Sequence, residues 1–190
     1  MRKEFTYDKQ TLRRKLIELR AGIGDKPERS HAITESVLPL LRGNVMVYVS
    51  IGSEADTTEL ISRLVARSGV TVFAPYTDAD GIIVPRRVVS LGKADKRGNM
   101  PDDCYAADVG QAPEIDCCVT PLLAFDGDGY RLGYGKGCYD RFFANADTFK
   151  IGLAFDAQRA RFKRDITDIP LDCCVTESKV LYFKHASNFG

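Results

Sequence analysis

At 190 residues the chain fits one domain of residues 1–190, at the upper side of common domain sizes. Its 44% hydrophobic and 28% charged residues suffice for a core without staples, which excludes a miniature fold that depends on disulfides or metal. A formal net charge of +1 excludes a global surface for nucleic acid or an anionic membrane, so any basic site must be local and suited to a small anionic ligand.

Residues 1–10 are polar and charged, with no apolar stretch of the kind a signal peptide needs. No apolar run approaches the roughly 18 residues of a membrane helix. The expected compartment is the cytoplasm, with no membrane partner.

Residues 9–21 predict a helix, because Leu12, Leu16 and Leu19 share a face and Gly22 stops it. Residues 28–41 predict a second helix. Residues 44–51, with Val45, Val47 and Val49, predict a buried strand. Asp56-Thr-Thr-Glu59 has the form of a capping box, opening a helix that runs to about residue 68. Residues 70–74 then form a strand, which completes a β–α–β unit and implies parallel pairing. Residues 81–89 predict another strand, which Pro85 pushes to a sheet edge.

Residues 90–113 carry scattered Gly, Pro and Asp and predict a long surface loop, a feature that compact domains usually keep for function. Residues 115–120 are a buried strand. A glycine-rich loop follows, then a short helix at 138–145 and strands at 151–155 and 173–176. With no repeat and no linker, the pattern predicts a single α/β domain, helices on both sides of a mixed sheet.

The six cysteines show no C-x-x-C pair. Cys117-Cys118 and Cys173-Cys174 are doublets in apolar strands, where neighbours point to opposite faces and cannot easily share one metal. They are expected to be reduced, buried thiols. The two histidines, His31 and His185, lie beside no carboxylate or cysteine motif, so a Ser/His/Asp or Cys/His nucleophilic site is poorly supported.

The segment 121–140 carries the chemistry. Gly133, Gly135 and Gly137 alternate, which lets the backbone turn tightly and expose N–H groups where a helix begins. Arg131 and Lys136 add cationic donors, and Asp140 could hold Mg²⁺ on the same phosphates. The glycines match neither the P-loop pattern nor the dinucleotide fingerprint. Alone they fit a flexible turn equally well, and phosphate binding rests on their combination with Arg, Lys and Asp.

Arg131-Leu-Gly-Tyr-Gly-Lys-Gly-Cys-Tyr-Asp140 resembles the signature of the 5-formyltetrahydrofolate cyclo-ligase (methenyltetrahydrofolate synthetase) family, and the resemblance runs across nearly the whole chain. Lys9-x-x-x-Arg13 looks like the family's phosphate-binding pair, and spacing of four puts both side chains on one helix face. Val49-Ser-Ile-Gly-Ser-Glu54 resembles its folate-binding strand end. Segments 152–158 and 171–177 resemble its last two motifs. Departures are Cys138 in place of a tyrosine, Asn99-Met-Pro-Asp-Asp103 in place of Ile-Pro-Glu/Gln-Pro, Thr167-Asp168 in place of His-Asp, and Leu122 in place of a glycine.

The resemblance implies a three-layer α/β/α domain with a mostly parallel mixed sheet, like that of sugar-phosphate isomerases and CoA transferases. It implies closure of 5-formyltetrahydrofolate to 5,10-methenyltetrahydrofolate, driven by ATP as co-substrate with Mg²⁺. The formyl oxygen attacks the γ-phosphate, N10 closes the ring and phosphate leaves. It assigns Arg131, Lys136 and Tyr139 to catalysis. The nucleotide falls to Lys9, Arg13, Arg131, Leu132, Gly133, Tyr134, Gly135, Lys136, Gly137, Cys138 and Tyr139. The reduced folate falls to Val49, Glu54, Tyr134 and Cys138, and the metal to Asp140 and Asp172. A monomer or weak homo-oligomer is expected. Two other readings stay open, a sugar-phosphate isomerase-like enzyme on this fold and a non-catalytic nucleotide or folate binder.

Overall fold

The structure is a computed structural model, which describes residues 8–107 and 113–184; His185 lies outside them, as do residues 108–112 of the expected loop. The first helix, α1 (Lys9–Ala21), begins where expected, because the Asp8 carboxylate accepts the N–H groups of Gln10 and Thr11. The second, α2 (Lys26–Val37), starts two residues earlier than expected. Pro27 at the first turn lacks only a donor that no helix start uses, so it opens the helix instead of preceding it. A 3₁₀ turn at Leu38–Leu40 accounts for the remaining residues of that expectation.

Strand β1 (Gly43–Val47), helix α3 (Thr58–Val65) and strand β2 (Val70–Thr77) form the β–α–β unit, with β1 and β2 parallel. The capping box does not form. Asp56 Oδ1 accepts the Thr58 N–H directly, and Glu59 turns outward to His31 and Arg63. Strand β3 (Ile83–Arg87) runs antiparallel to β2 as the edge strand, with Pro85 opposite Pro75.

Strand β4 (Cys117–Thr120) lies beside β1, and β7 (Phe149–Leu153) and β8 (Cys173–Val175) continue the parallel set. Between β4 and β7 come a small hairpin, β5 (Ala124–Phe125) with β6 (Arg131–Leu132), and helix α4 (Cys138–Phe143). Strand β9 (Val180–Tyr182) closes the far edge antiparallel to β8, giving the order β3-β2-β1-β4-β7-β8-β9.

Alternation along the strands sorts the core. Val45, Val47, Val72, Ala74, Cys117, Val119, Ile151, Leu153, Cys173 and Val175 pack with Ile33 and Val37 of α2 and Leu60, Ile61 and Leu64 of α3. Met46, Phe73 and Cys118 point the other way, against Phe143 of α4. The cysteine doublets therefore do present opposite faces. All six cysteines are free, and all but Cys138 are buried. The segment after β3 is not wholly a surface loop, since Met100, Cys104 and Tyr105 are buried and anchor it. No helix among the described residues is long and apolar enough to cross a membrane.

Candidate active site

Strands β1, β2 and β4 end at a common side of the sheet, and the segments that follow them enclose a cleft of about 950 Å³. That volume is near the upper end for a small-molecule site. Val49, Ile51 and Glu54 after β1 line it, together with Pro75 and Thr77 of β2. Lys9 and Arg13 of α1, residues 131–141, and Asp165, Thr167 and Asp168 complete the wall. Every residue singled out on sequence lines this cleft except Asp172.

The cleft carries seven Lys or Arg side chains against four Asp or Glu, an excess of three cations in a chain whose formal net charge is +1. The local basic site expected from composition is therefore real, and such concentration favours an anionic ligand.

The glycine loop owes its path to backbone geometry. Gly135 has φ +100° and Gly137 φ +63°, which side-chain-bearing residues rarely adopt. A Cβ on Gly135 would lie 3.0 Å from Arg13 Cζ, so the loop lies directly against that guanidinium. Arg13 Nε also donates to the Gly133 carbonyl at 2.9 Å. Lys136 is exposed at the loop tip, and Arg141 ties the turn by donating to the Lys136 and Gly81 carbonyls. Helix α4 has only six residues, so its dipole is small and the cations supply most of the attraction for anions.

Arg131 is buried and donates to Asp140 Oδ1 at 2.9 Å and to the Ile169 carbonyl at 2.8 Å. The Ile169 N–H also donates to Asp140 Oδ1, which brings segment 165–169 against α4. Asp168 is thereby placed at the same end of the cleft as Asp140. Its Oδ2 accepts the Asp165 N–H and lies 3.7 Å from Lys9 Nζ, while Asp165 pairs directly with Lys9.

Asp172 is not part of this group. Its buried carboxylate accepts the Lys150 N–H at 2.7 Å and pairs with Lys150 Nζ at 2.9 Å, locking β7 to the start of β8. Asp172 does not line the cleft, and its carboxylate is engaged by Lys150, as a buried charge requires, whereas Asp140 faces the cleft. The resemblance alone had assigned Asp172 to the metal, and Thr167-Asp168 entered only as a departure from the His-Asp motif.

Glu54 lines the cleft beside Tyr134 of the glycine loop, buried to 7% exposure. Its Oε2 accepts the Ile51 N–H and its Oε1 the Tyr134 hydroxyl, both at 2.9 Å. Burial lifts its carboxyl above the ordinary glutamate range, against the Ile51 N–H, Arg20 and Tyr134, which hold it down. Burial likewise raises the Tyr134 and Tyr139 phenols, so both stay protonated and act only as neutral hydrogen-bonding groups. Leu132 turns its side chain into a small apolar cluster with Leu123 and Leu16, and Cys138 stands half-buried at the base of α4.

Sequence reasoning also missed Arg20, Lys96 and Arg97. Lys96 and Arg97 reach the cleft because Asn99 clamps the segment to β2, its side chain accepting from Thr77 N at 2.8 Å and donating to Thr77 O at 2.9 Å.

A model of the 5-formyltetrahydrofolate cyclo-ligase family matches residues 5–177. The 5-formyltetrahydrofolate cyclo-ligase of Escherichia coli K12 is 32% identical over 154 residues, 72% of this chain and 79% of that protein. The same-named protein of Haemophilus influenzae is 26% identical over 179 residues, 87% of this chain and 96% of that protein. Among solved structures, the 5,10-methenyltetrahydrofolate synthetase of Aquifex aeolicus matches with a TM-score of 0.76 at 28% identity, covering 96% of each chain.

Proposed function

Since the chain belongs to the 5-formyltetrahydrofolate cyclo-ligase family, we propose that its cleft closes 5-formyltetrahydrofolate to 5,10-methenyltetrahydrofolate at the expense of ATP. The observation that carries this reading is one cleft with two chemically distinct ends. Lys9, Arg13, Arg131 and Lys136 line it with the glycine loop, and a buried carboxylate, Glu54, stands behind the Tyr134 hydroxyl.

The cationic end suits the triphosphate, with loop 133–137 lying along it. The Glu54 end suits the pterin, whose ring edge is rich in N–H donors that an ionised carboxylate accepts. Val49, Tyr134 and Cys138 flank that end. The formyl oxygen attacks the γ-phosphorus, the bond to ADP breaks, and N10 then attacks the activated formyl carbon. The new C–N bond forms as phosphate leaves with the former formyl oxygen, and the N10 proton passes to water. Arg131 and Lys136 neutralise the phosphoryl charge, and the protein otherwise contributes position.

The donor set fits magnesium at Asp140 and Asp168. Magnesium prefers few carboxylates and keeps phosphate oxygens and water in its shell. Among the described residues the only preassembled trio of potential ligands is His31, Glu35 and Glu59 on the surface, so the cleft offers no all-protein cage. When bound, the ion would draw charge from the phosphate oxygens. Lys9, which faces Asp165 and Asp168 here, would turn to the nucleotide. Asp172 is left as a structural residue.

ADP release is the test of the coupling. ADP should form only when 5-formyltetrahydrofolate is added with ATP, in equal amount to the folate consumed. ADP formed at the same rate without folate would sink the reading. An isomerase-like reading needs no ATP, and nothing in the cleft favours it over this one.

A further inference from the structure

The guanidinium of Arg20, in the last turn of α1, is only 3% exposed. A charge so deeply buried is costly unless every donor is used. Nε donates to Ser53 Oγ at 3.1 Å, Nη1 to the Leu122 carbonyl at 3.0 Å and Nη2 to the Tyr134 hydroxyl at 2.5 Å. Nη1 also stands 4.0 Å from Glu54 Oε1, and the guanidinium lies 5.7 Å from the centre of the Tyr134 ring. One side chain therefore joins the end of β4, the segment that carries Glu54, and the glycine loop.

Resting on the function proposed above, we propose that Arg20 is a positioning residue for the reduced folate: it fixes Glu54 and Tyr134 as one ionised, hydrogen-bonded unit that receives the pterin, and contributes little to the nucleotide. Arg20 does not line the cleft, so it acts on a bound ligand through its partners. Its effect passes through Glu54, both of whose oxygens are already oriented, and through Tyr134, whose hydroxyl bridges the pair.

The charged and titratable groups around Glu54 are Arg20 from α1, Tyr48 just after β1, Asp56 before α3, Tyr134 from the glycine loop and Tyr139 from α4. Arg20 alone among them is a cation. Removing it leaves burial unopposed by any positive charge, so Glu54 takes up a proton at higher pH than before. A protonated Glu54 accepts fewer pterin N–H groups, and raising the pH restores the acceptor.

The experiment measures equilibrium binding of 5-formyltetrahydrofolate and, separately, of ATP with magnesium, for wild type, Arg20→Met and Arg20→Lys between pH 6 and 9. Arg20→Met should weaken folate binding on the order of tenfold at pH 7. The deficit should shrink as pH rises, with ATP affinity within about twofold of wild type. Arg20→Lys restores the charge but not the fork. It should show a smaller deficit that does not change with pH. Should Arg20→Met fail to fold, Arg20→Lys decides, since unchanged folate affinity in that variant overturns the proposal. Equal loss of folate and ATP affinity at every pH would also overturn it, as that marks a structural role alone. A wild-type protein that binds ATP but no reduced folate would remove the underlying reading, and this inference with it.

Discussion

Asp140 and Asp168 are 28 residues apart in sequence, and the Ile169 N–H, donating to the Asp140 carboxylate, brings their segments together. Asp172, four residues further on, is spent on Lys150 inside the sheet. The two kinds of aspartate should respond differently to the same change. Asp140→Asn and Asp168→Asn should each need on the order of tenfold more magnesium for ring closure, with nearly normal thermal stability. Asp172→Asn should titrate with magnesium like wild type but lose about 1–3 kcal/mol of stability, because the half-buried Lys150 ammonium keeps only a neutral acceptor. Magnesium titrations and denaturant curves of the three variants check this, and a shifted titration for Asp172→Asn would return it to the metal. Lys136 lies at the exposed loop tip, so Lys136→Ala should lower kcat/KM for ATP about tenfold to a hundredfold and leave the melting temperature unchanged. Normal ATP kinetics would remove it from the site. Thiol labelling should reach Cys138 first, with ATP protecting it. Burial raises the Cys117 and Cys174 thiols above their ordinary range and pushes Cys173 up to about 12, so their thiolates are scarce. First labelling at Cys117 or Cys174 would contradict the strand packing.

The elements long enough to show a period were legible in the sequence, and the shortest were not. Helix α1, the β–α–β unit and the edge position of Pro85 all follow from spacing and from the missing N–H of proline. Hairpin β5–β6 and strand β9 were not foreseen. Two or three residues carry no alternation, and these strands exist because neighbouring segments offer them partners. Arg20 was hidden for a related reason: a basic residue near a helix end reads as solvated, and only tertiary contacts reveal its burial. The glycine loop was legible as a loop, but its contact with Arg13 was not. Gly135→Ala tests that contact. The substitution meets both a positive φ and the Arg13 guanidinium, so it should cost about 1–3 kcal/mol of stability and raise KM for ATP. A variant as stable and as active as wild type would show that the loop does not depend on this turn.

At the scale of the molecule, the sheet acts as a frame whose strand ends deliver separate segments to one cleft. Strand β1 delivers Glu54, β4 leads into the loop and α4, and β8 is preceded by the stretch that carries Asp168. The α/β class and most of the cleft were legible because motifs record which residue types meet. The approach of segment 165–169 to Asp140 and the closing in of Lys96 and Arg97 were not, because they depend on how loops fold back. The central claim is that both substrates react in this single cleft. Its most direct test is the near-ultraviolet absorbance of the methenyl product, followed with purified protein and 5-formyltetrahydrofolate, with and without ATP and magnesium. Absorbance should rise only when protein, ATP and magnesium are all present. A rise without ATP, or none with the complete mixture, would contradict the account.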